Sequence, residues 1–199
     1  MPIIADPIID LADAKAFLNI TTDVTDAKVT DFIATASQMI VNRIGVVSGN
    51  PTISEWHDGG SDRIVLRNQG PVASITSVIE NFGSISYTLT QVSLDTPSTA
   101  DAYSYTVDLD RGLLVRRASG VATTFAAGVR NIHVTYVAGY TVVPADIKHV
   151  ALKVVKRLWD TTQRAARQGT PPDAATVTPG LLSLEELSIL SQYTVPGIA

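Results

Sequence analysis

Residues 132–150 read Ile-His-Val-Thr-Tyr-Val-Ala-Gly-Tyr-Thr-Val-Val-Pro-Ala-Asp-Ile-Lys-His-Val, and the periodicity of the apolar side chains changes within them. Up to Ala138 the residues largely alternate between apolar and polar, which is the pattern of a half-buried β-strand. After Pro144 the apolar side chains recur at spacings of three and four, as on one face of a helix. Pro144 suits the start of a helix, and Asp146 lies in the first turn, where the helix dipole favours an anion. The stretch therefore predicts a strand followed by a helix.

Two further helices are predicted near the start of the chain, over residues 11–18 and 25–44. Asp10 and Thr25 stand where N-cap residues belong, and Gly45 is a natural helix stop. The longer helix has one apolar stripe, because its apolar residues recur at spacings of three and four. The stripe consists of Val29, Phe32, Ile33, Ala36, Ile40 and Ile44.

The segment between the second and third helices has a period of two from about Thr52 onward. It is rich in β-branched and aromatic residues, and clusters of turn-forming residues divide it, as in a series of strands. Asp110-Arg111-Gly112 predicts a hairpin turn between two of these strands. The strand-like segments are residues 53–57, 63–67, 74–79, 85–90, 103–107, 113–116 and 132–136.

This order of elements predicts an α+β fold with segregated helices and strands, since a parallel α/β sheet would alternate them. The predicted core is helical, built from residues 1–50 and 143–167, with an antiparallel β subdomain inserted at residues 51–142. Together these parts form one domain, residues 1–167. Residues 168–199 are predicted to form a C-terminal arm with a proline-containing linker and a short helix.

The helix of the C-terminal arm is indicated by a capping box, in which Ser183 and Glu186 satisfy backbone donors at the helix start. A helix this short is marginal by itself. It therefore needs a surface to pack against, in this chain or in another.

The 199-residue chain contains no cysteine, which excludes disulfides, thiolate metal sites and cysteine nucleophiles. The three histidines, His57, His133 and His149, lack the helical i, i+4 spacing of a zinc site. The sequence also has no glycine loop of the phosphate-binding or dinucleotide-binding type and no nucleophile elbow. We therefore predict no catalytic residue, no cofactor, no metal and no enzymatic activity.

The N-terminal sequence lacks a basic region followed by an apolar one, so no signal peptide is expected. No apolar run is long enough to predict a transmembrane helix, and no membrane partner is expected. The default compartment is the cytoplasm.

The net charge of −4 conceals blocks of opposite sign. Residues 1–42 contain six acids and two bases, whereas residues 111–167 contain ten bases and two acids. Such blocks can pair within one fold, or they can face copies of the chain across an interface. A basic helical face can also meet nucleic-acid phosphates, but the pI of about 5.2 argues against that use. The residues predicted for a subunit interface are Asp13, Asp26, Asp31, Lys153, Lys156, Arg157 and Arg164.

Three stretches, in this order and spacing, resemble one family of proteins. The first is Asp10-Leu-Ala-Asp-Ala-Lys-Ala-Phe-Leu-Asn-Ile with the acidic turn and long helix that follow it. The second is Ile64-Val-Leu-Arg-Asn-Gln-Gly-Pro-Val-Ala-Ser-Ile-Thr-Ser-Val, and the third is the strand and helix of residues 132–164. Together they resemble the head–tail connector (adaptor) proteins of long-tailed bacteriophages, over residues 8–165.

The resemblance implies a structural virion protein without a cofactor, located in the neck between capsid and tail and made in the host bacterial cytoplasm. It implies a homo-oligomeric ring, usually a dodecamer, that binds below the portal protein and surrounds the genomic DNA without reading its sequence. The ring would dock the next neck protein, a stopper or a tail terminator. The alternatives are another neck or tail component, such as a stopper or tail completion protein, and less closely a soluble enzyme or a DNA-binding domain.

Two contact regions are expected from this resemblance. The C-terminal segment of the family commonly reaches the portal, so the arm is predicted to bind the portal through its apolar side chains. The polar stretch Thr96–Ala102, interpreted as the tip of a hairpin within a long β insertion at residues 83–127, is predicted to meet the tail-side partner. The portal-binding residues of the arm are Leu184, Leu187, Ile189, Leu190 and Tyr193.

Overall fold

The computed structural model describes residues 6–68, 70–93, 95, 102–167 and 182–194. Contacts divide the chain into two compact units. The helical unit consists of the described residues up to Gly49 together with those between Thr141 and Thr194, and the β unit spans Asn50–Tyr140. The prediction of an α+β fold is confirmed by the segregated helices and strands of the described residues.

The helical unit is built around two amphipathic helices that are in contact with each other. The described helices are α1 (Leu11–Leu18), α2 (Asp26–Ile44), α3 (Ala145–Arg167) and α4 (Leu184–Ser191). The apolar stripes of α2 and α3 form the core, because each buried aliphatic side chain contributes about 1.5–3 kcal/mol. Their buried members are Val29, Ile33, Ala36, Ile40, Ile44, Ile147, Val150, Ala151, Val154 and Val155.

The starts of α1 and α2 differ in detail from the sequence expectation. Asp10 and Thr25 occupy the N-cap positions, but neither side chain makes a capping hydrogen bond. The two helices are instead joined by Lys15, whose Nζ lies 2.7 Å from Asp23 Oδ1 and 2.7 Å from Asp26 Oδ1. The hydrogen bonds to Asp23 and Asp26 raise the pKa of Lys15 above its ordinary value.

The third helix begins at Ala145, and the carbonyl of Pro144 accepts a hydrogen bond from Lys148 N at its start. It continues to Arg167, the last residue of the helical part predicted at residues 143–167. Residues 165–167 are good helix formers, and the first helix-breaking residue after them is Gly169.

The described residues of the β unit form two sheets. The first has the strand order β1-β9-β3-β4 and is antiparallel throughout, and the second has the order β2-β7-β6-β5 with β8 paired to β7. The strands are β1 (Thr52–His57), β2 (Arg63–Val65), β3 (Val72–Phe82), β4 (Ile85–Thr88), β5 (Thr90–Gln91), β6 (Ser104–Asp108), β7 (Leu113–Ala118), β8 (Val121–Ala122) and β9 (Ile132–Ala138). The predicted turn at Asp110-Arg111-Gly112 connects the antiparallel strands β6 and β7.

Among the described strand pairs, all but one are antiparallel, in agreement with the predicted antiparallel β subdomain. Strands β5 and β6 are parallel, with Thr90 opposite Ser104 and Gln91 opposite Tyr105. The connection between them, residues 92–103, is long enough for the crossover that parallel strands need. The stretch Thr96–Ala102, predicted as a hairpin tip, belongs to this connection, and residues 96–101 lie outside the described residues.

Gly59 lies where two backbone segments of the β unit approach closely. A Cβ atom at this position would lie 1.8 Å from the carbonyl oxygen of Ala126. The backbone cannot easily withdraw, since Gly59 N donates hydrogen bonds to Gly128 O and Asn131 Oδ1, both at 2.9 Å. We therefore expect Gly59→Ala to lower the free energy of unfolding by about 2 kcal/mol.

Gly83→Ala is the matched control for this prediction. A Cβ atom at Gly83 would have no heavy atom within 4 Å, so an alanine there is disfavoured only by the backbone φ of +61°. That conformation costs an L-residue about 1 kcal/mol. Urea denaturation of both variants measures the difference, and a smaller loss for Gly59→Ala than for Gly83→Ala would contradict the steric argument.

Candidate functional site

The basic face of α3 is in contact with α4 of the same chain. Lys153 Nζ lies 3.3 Å from Glu185 Oε1, and Arg157 Nη2 lies 2.5 Å from Glu186 Oε1. At the other end of the contact, the hydroxyl of Tyr193 donates a hydrogen bond of 2.5 Å to Asp146 Oδ2. Because the numbering runs in opposite directions along the contact, α4 lies antiparallel to α3. Two bases of this face, Lys153 and Arg157, thus pair with acids of α4.

Glu186 has two roles in this contact. Its Oε2 accepts a hydrogen bond of 2.7 Å from Ser183 N, and Ser183 Oγ accepts one of 3.2 Å from Glu186 N. This is the predicted capping box, and it is confirmed. The other oxygen of the same carboxylate binds Arg157. The Glu186 side chain is only 1% exposed, so the group that caps α4 also attaches it to α3.

The apolar residues of α4 are not equally available to a partner. Leu190 is fully buried, and α4 contacts both α2 and α3. Leu187, Ile189 and Tyr193 are half-buried, whereas Leu184 is 86% exposed. The helical unit encloses Leu190 while α4 is docked, and its role as a portal anchor stays a prediction that would require α4 to undock.

A groove of about 380 Å³ runs along the α3–α4 contact. Its charges are balanced, since Lys156 Nζ also pairs with Asp160 Oδ2 at 3.0 Å. The groove is therefore better suited to holding acidic side chains against basic ones than to binding a free phosphate. It is lined by Lys153, Lys156, Arg157, Asp160, Thr161, Ser183, Glu185 and Glu186.

The acidic residues predicted for the subunit interface have different environments. Asp13 and Asp31 are exposed, whereas Asp26 already pairs with Lys15. The side chain of Arg164 lies outside the described part of the structure.

A buried ion pair in the β unit was missed by the sequence reasoning. Glu80 on β3 and Arg116 on β7 are each 5% exposed, and Arg116 Nη2 lies 3.0 Å from Glu80 Oε2. The other oxygen of Glu80 accepts a hydrogen bond of 2.6 Å from Ala126 N. Arg116 also donates to the carbonyl of Ser104 at 3.1 Å and lies 5.5 Å from the ring centroid of Tyr103. The pair joins the two sheets. Its signal in the sequence is weak: one acid, Glu80, on β3, and one of two adjacent arginines on β7.

The histidines are held by neighbouring side chains. His57 Nε2 lies 2.9 Å from Glu55 Oε1, and His133 stacks on Trp56 with 4.5 Å between ring centroids. His149 makes an edge contact with Phe17, at 6.3 Å between centroids. Among the described residues no group of three His, Cys, Asp or Glu side chains is arranged to hold a metal ion.

The β3–β4 hairpin presents two large apolar side chains at its tip. Phe82 and Ile85 are paired across the turn, and both are more than half exposed. Gly83 has a positive φ and Ser84 does not, which matches a type II′ turn. The next residue pair along the hairpin is Asn81 and Ser86, and Asn81 Oδ1 accepts a hydrogen bond of 2.6 Å from Ser86 Oγ. This hairpin is therefore an ordered apolar projection of the β unit.

Comparison with known proteins found a matching family model and chains of solved structures with a similar fold. A family model described as head completion protein matches residues 7–169. A chain from the neck of an empty GTA particle, computed with C6 symmetry, has a similar fold. The TM-score is 0.56 at 14% sequence identity, and the similarity covers 80% of this chain and 82% of the other. No curated protein matches the sequence. No helix among the described residues is long and apolar enough to cross a membrane.

Proposed function

The chain belongs to the head completion protein family, and from this premise we propose that it is a head–tail connector, an adaptor ring between the portal and the tail side of a virion neck. The family match over residues 7–169 carries the proposal, because it spans most of both units. The fold similarity to a chain of a GTA neck supports the same location. A structural role in a phage-type neck requires no catalytic group or cofactor.

Ring formation is supported by the C6 symmetry with which the similar neck was computed. A closed ring needs two different, complementary surfaces on every subunit. A dodecamer, with two copies in each sixfold unit, is compatible with that symmetry. Genomic DNA would pass through the lumen of such a ring without sequence recognition.

The subunit interface is proposed to use charge complementarity in the helical unit. The basic residues of α3 meet acids in the structure, and Asp13 and Asp31 are exposed and open to a neighbour. Charges across an interface set register and encounter rate more than affinity. We assign residues 1–167 to the connector domain and residues 168–199 to the arm.

The ring is proposed to contact two different proteins. The C-terminal arm is proposed to face the portal, with Leu184 as the exposed apolar contact. The tail-side stopper or terminator is proposed to meet the β unit, where the β3–β4 hairpin presents Phe82 and Ile85.

Another neck component, a stopper or tail completion protein, is the second candidate, because the matching family is described by head completion in general. The two candidates differ in their direct neighbour. An adaptor binds the portal itself, whereas a stopper binds an adaptor that is already in place.

We expect the purified chain to form rings with purified portal, as measured by size-exclusion chromatography with mass determination and by negative-stain imaging. A chain ending at residue 169 should remain folded but lose portal binding. Leu184→Ser is the milder variant, because it changes an exposed side chain, and its portal affinity should fall roughly 10-fold or more if that leucine becomes buried.

Portal binding by the truncated chain that equals that of the full chain would contradict the portal-binding role of the arm. Binding to a preassembled portal–adaptor complex without binding to the portal alone would contradict the adaptor assignment and identify a stopper.

A further inference from the structure

The contact between α3 and α4 joins two parts of the chain that a long connection separates. Fourteen residues, 168–181, lie between Arg167, the last residue of α3, and Leu182, which stands two residues before the start of α4. The N-terminal turn of α4 lies beside Arg157, ten residues before the end of α3. The start of α4 is therefore displaced from the end of α3 by about 15 Å along the axis of α3. It is also displaced sideways by about 10 Å, the distance between the axes of packed helices.

The connection can reach much further than this contact requires. An extended chain of that length spans at most about 50 Å. A compact body of about 100 residues, the size of the helical unit, has a radius of gyration near 13 Å and a diameter of roughly 35 Å. The equivalent groove on an adjoining copy therefore lies within reach of α4.

The start of α4 is capped by residues of the same short segment. Its capping box is formed by Ser183 and Glu186 within the helix itself. The receiving surface, here named the α4 groove, consists of the parts of α2 and α3 that α4 covers, with Asp146, Lys153 and Arg157 as its polar contacts. Nothing in these contacts depends on helix and groove belonging to the same chain.

We propose that α4 is exchanged between subunits of the assembled ring, so that each α4 groove holds the α4 of an adjoining copy. This inference rests on the ring of the proposed function. Exchange replaces each intrachain contact by an identical one between chains, so it links the ring at little cost. Each exchanged contact is then stabilised by the rest of the ring, because the ring holds α4 and the groove of the adjoining copy at a high effective concentration.

The proposal also identifies the acidic partner of the basic face. The predicted interface residues Lys153 and Arg157 lie in the α4 groove, where they meet Glu185 and Glu186. The neighbour would thus supply the acids of its α4 to these two bases. The N-terminal acids would not be needed there.

The absence of native cysteine allows a direct test, since introduced thiols are then the only ones. Lys153→Cys and Glu185→Cys place thiols on the groove and on the helix, at two side chains that lie 3.3 Å apart when α4 is docked. Rings are assembled on portal from an equal mixture of the two single variants and treated with a short bismaleimide. Rings of each single variant alone are the matched controls.

Covalent dimers in the mixed ring, at a level well above both controls, are the expected result, because a groove thiol can meet a helix thiol only between chains. The double variant should give covalent multimers in the ring. Rings of the double variant that contain only internally linked single chains would overturn the exchange and leave the adaptor assignment intact. Failure to form any ring with portal would refute the proposed function, and the exchange with it.

Discussion

Replacing Arg116 with methionine is expected to lower the free energy of unfolding of the β unit by about 3–5 kcal/mol. The substitution leaves the carboxylate of Glu80 buried without its cation, since both side chains are 5% exposed. The carbonyl of Ser104 loses a donor at the same time. Breaking one half of a buried ion pair is far more costly than the pair itself is stabilising, because the remaining charge has no water to solvate it.

The measurement is urea denaturation followed by tryptophan fluorescence. Trp56 lies in the β unit and Trp159 on α3, so a Trp159→Phe background makes the signal report on the β unit. The matched control is Arg111→Met, because the Arg111 side chain is 69% exposed and lies 3.7 Å from Asp108 Oδ2. An exposed pair of this kind contributes about 0–1 kcal/mol.

A second variant separates charge from packing. Glu80→Gln in the Arg116→Met background removes the buried, unpaired negative charge. It keeps an oxygen to accept the hydrogen bond from Ala126 N, which donates to Glu80 Oε1. The double variant should recover at least half of the lost stability. If it is as unstable as Arg116→Met alone, then packing, and not the unpaired charge, is the cause.

Glu186→Ala is expected to release α4 from the helical unit. The substitution removes the hydrogen bond to Ser183 N and the ion pair with Arg157 together, because both use the same carboxylate. An eight-residue helix is not stable alone in water, so α4 should unfold when it undocks. We expect hydrogen exchange over residues 184–191 to become about 100-fold faster, which corresponds to about 2.7 kcal/mol.

Glu185→Ala is the control for this change. It is the same substitution one residue earlier, but the Glu185 side chain is 72% exposed and its partner Lys153 is partly exposed. Exchange over α4 should change less than threefold, because exposed ion pairs contribute little. Equal acceleration in both variants would show that the charge of α4, and not the buried cap, holds it in place. Circular dichroism should show that the remaining helices persist in both variants.

The arm helix shows how far local sequence can be interpreted. Ser183 and Glu186 predicted its start correctly, because a capping box is chemistry between residues three apart. The same residues could not reveal that Glu186 also binds Arg157, 29 positions away. The sequence therefore predicts the position of the short helix in the chain correctly, but it does not predict that the helix packs on α2 and α3.

The longest strand shows a second limit. A period of two predicts a strand around residues 74–79, and β3 includes it. In its pairing with β9, however, the register shifts between Val72 and Ser74 and again between Ile75 and Ser77. Each shift changes which residues face the core, so alternation in the sequence cannot follow the whole strand.

The amino-acid sequence by itself determined the succession of helices and strands, the capping box and the β6–β7 turn. Each depends on side chains a few residues apart, where spacing and geometry are tightly linked. Only the tertiary structure decided which charged residues pair, namely Glu80 with Arg116 and Glu186 with Arg157. It also decided that β5 and β6 pair in parallel. Many acids and bases in one chain have equivalent local patterns. Their partners depend on distant segments that are brought together when apolar surface is buried, and this burial is not directional.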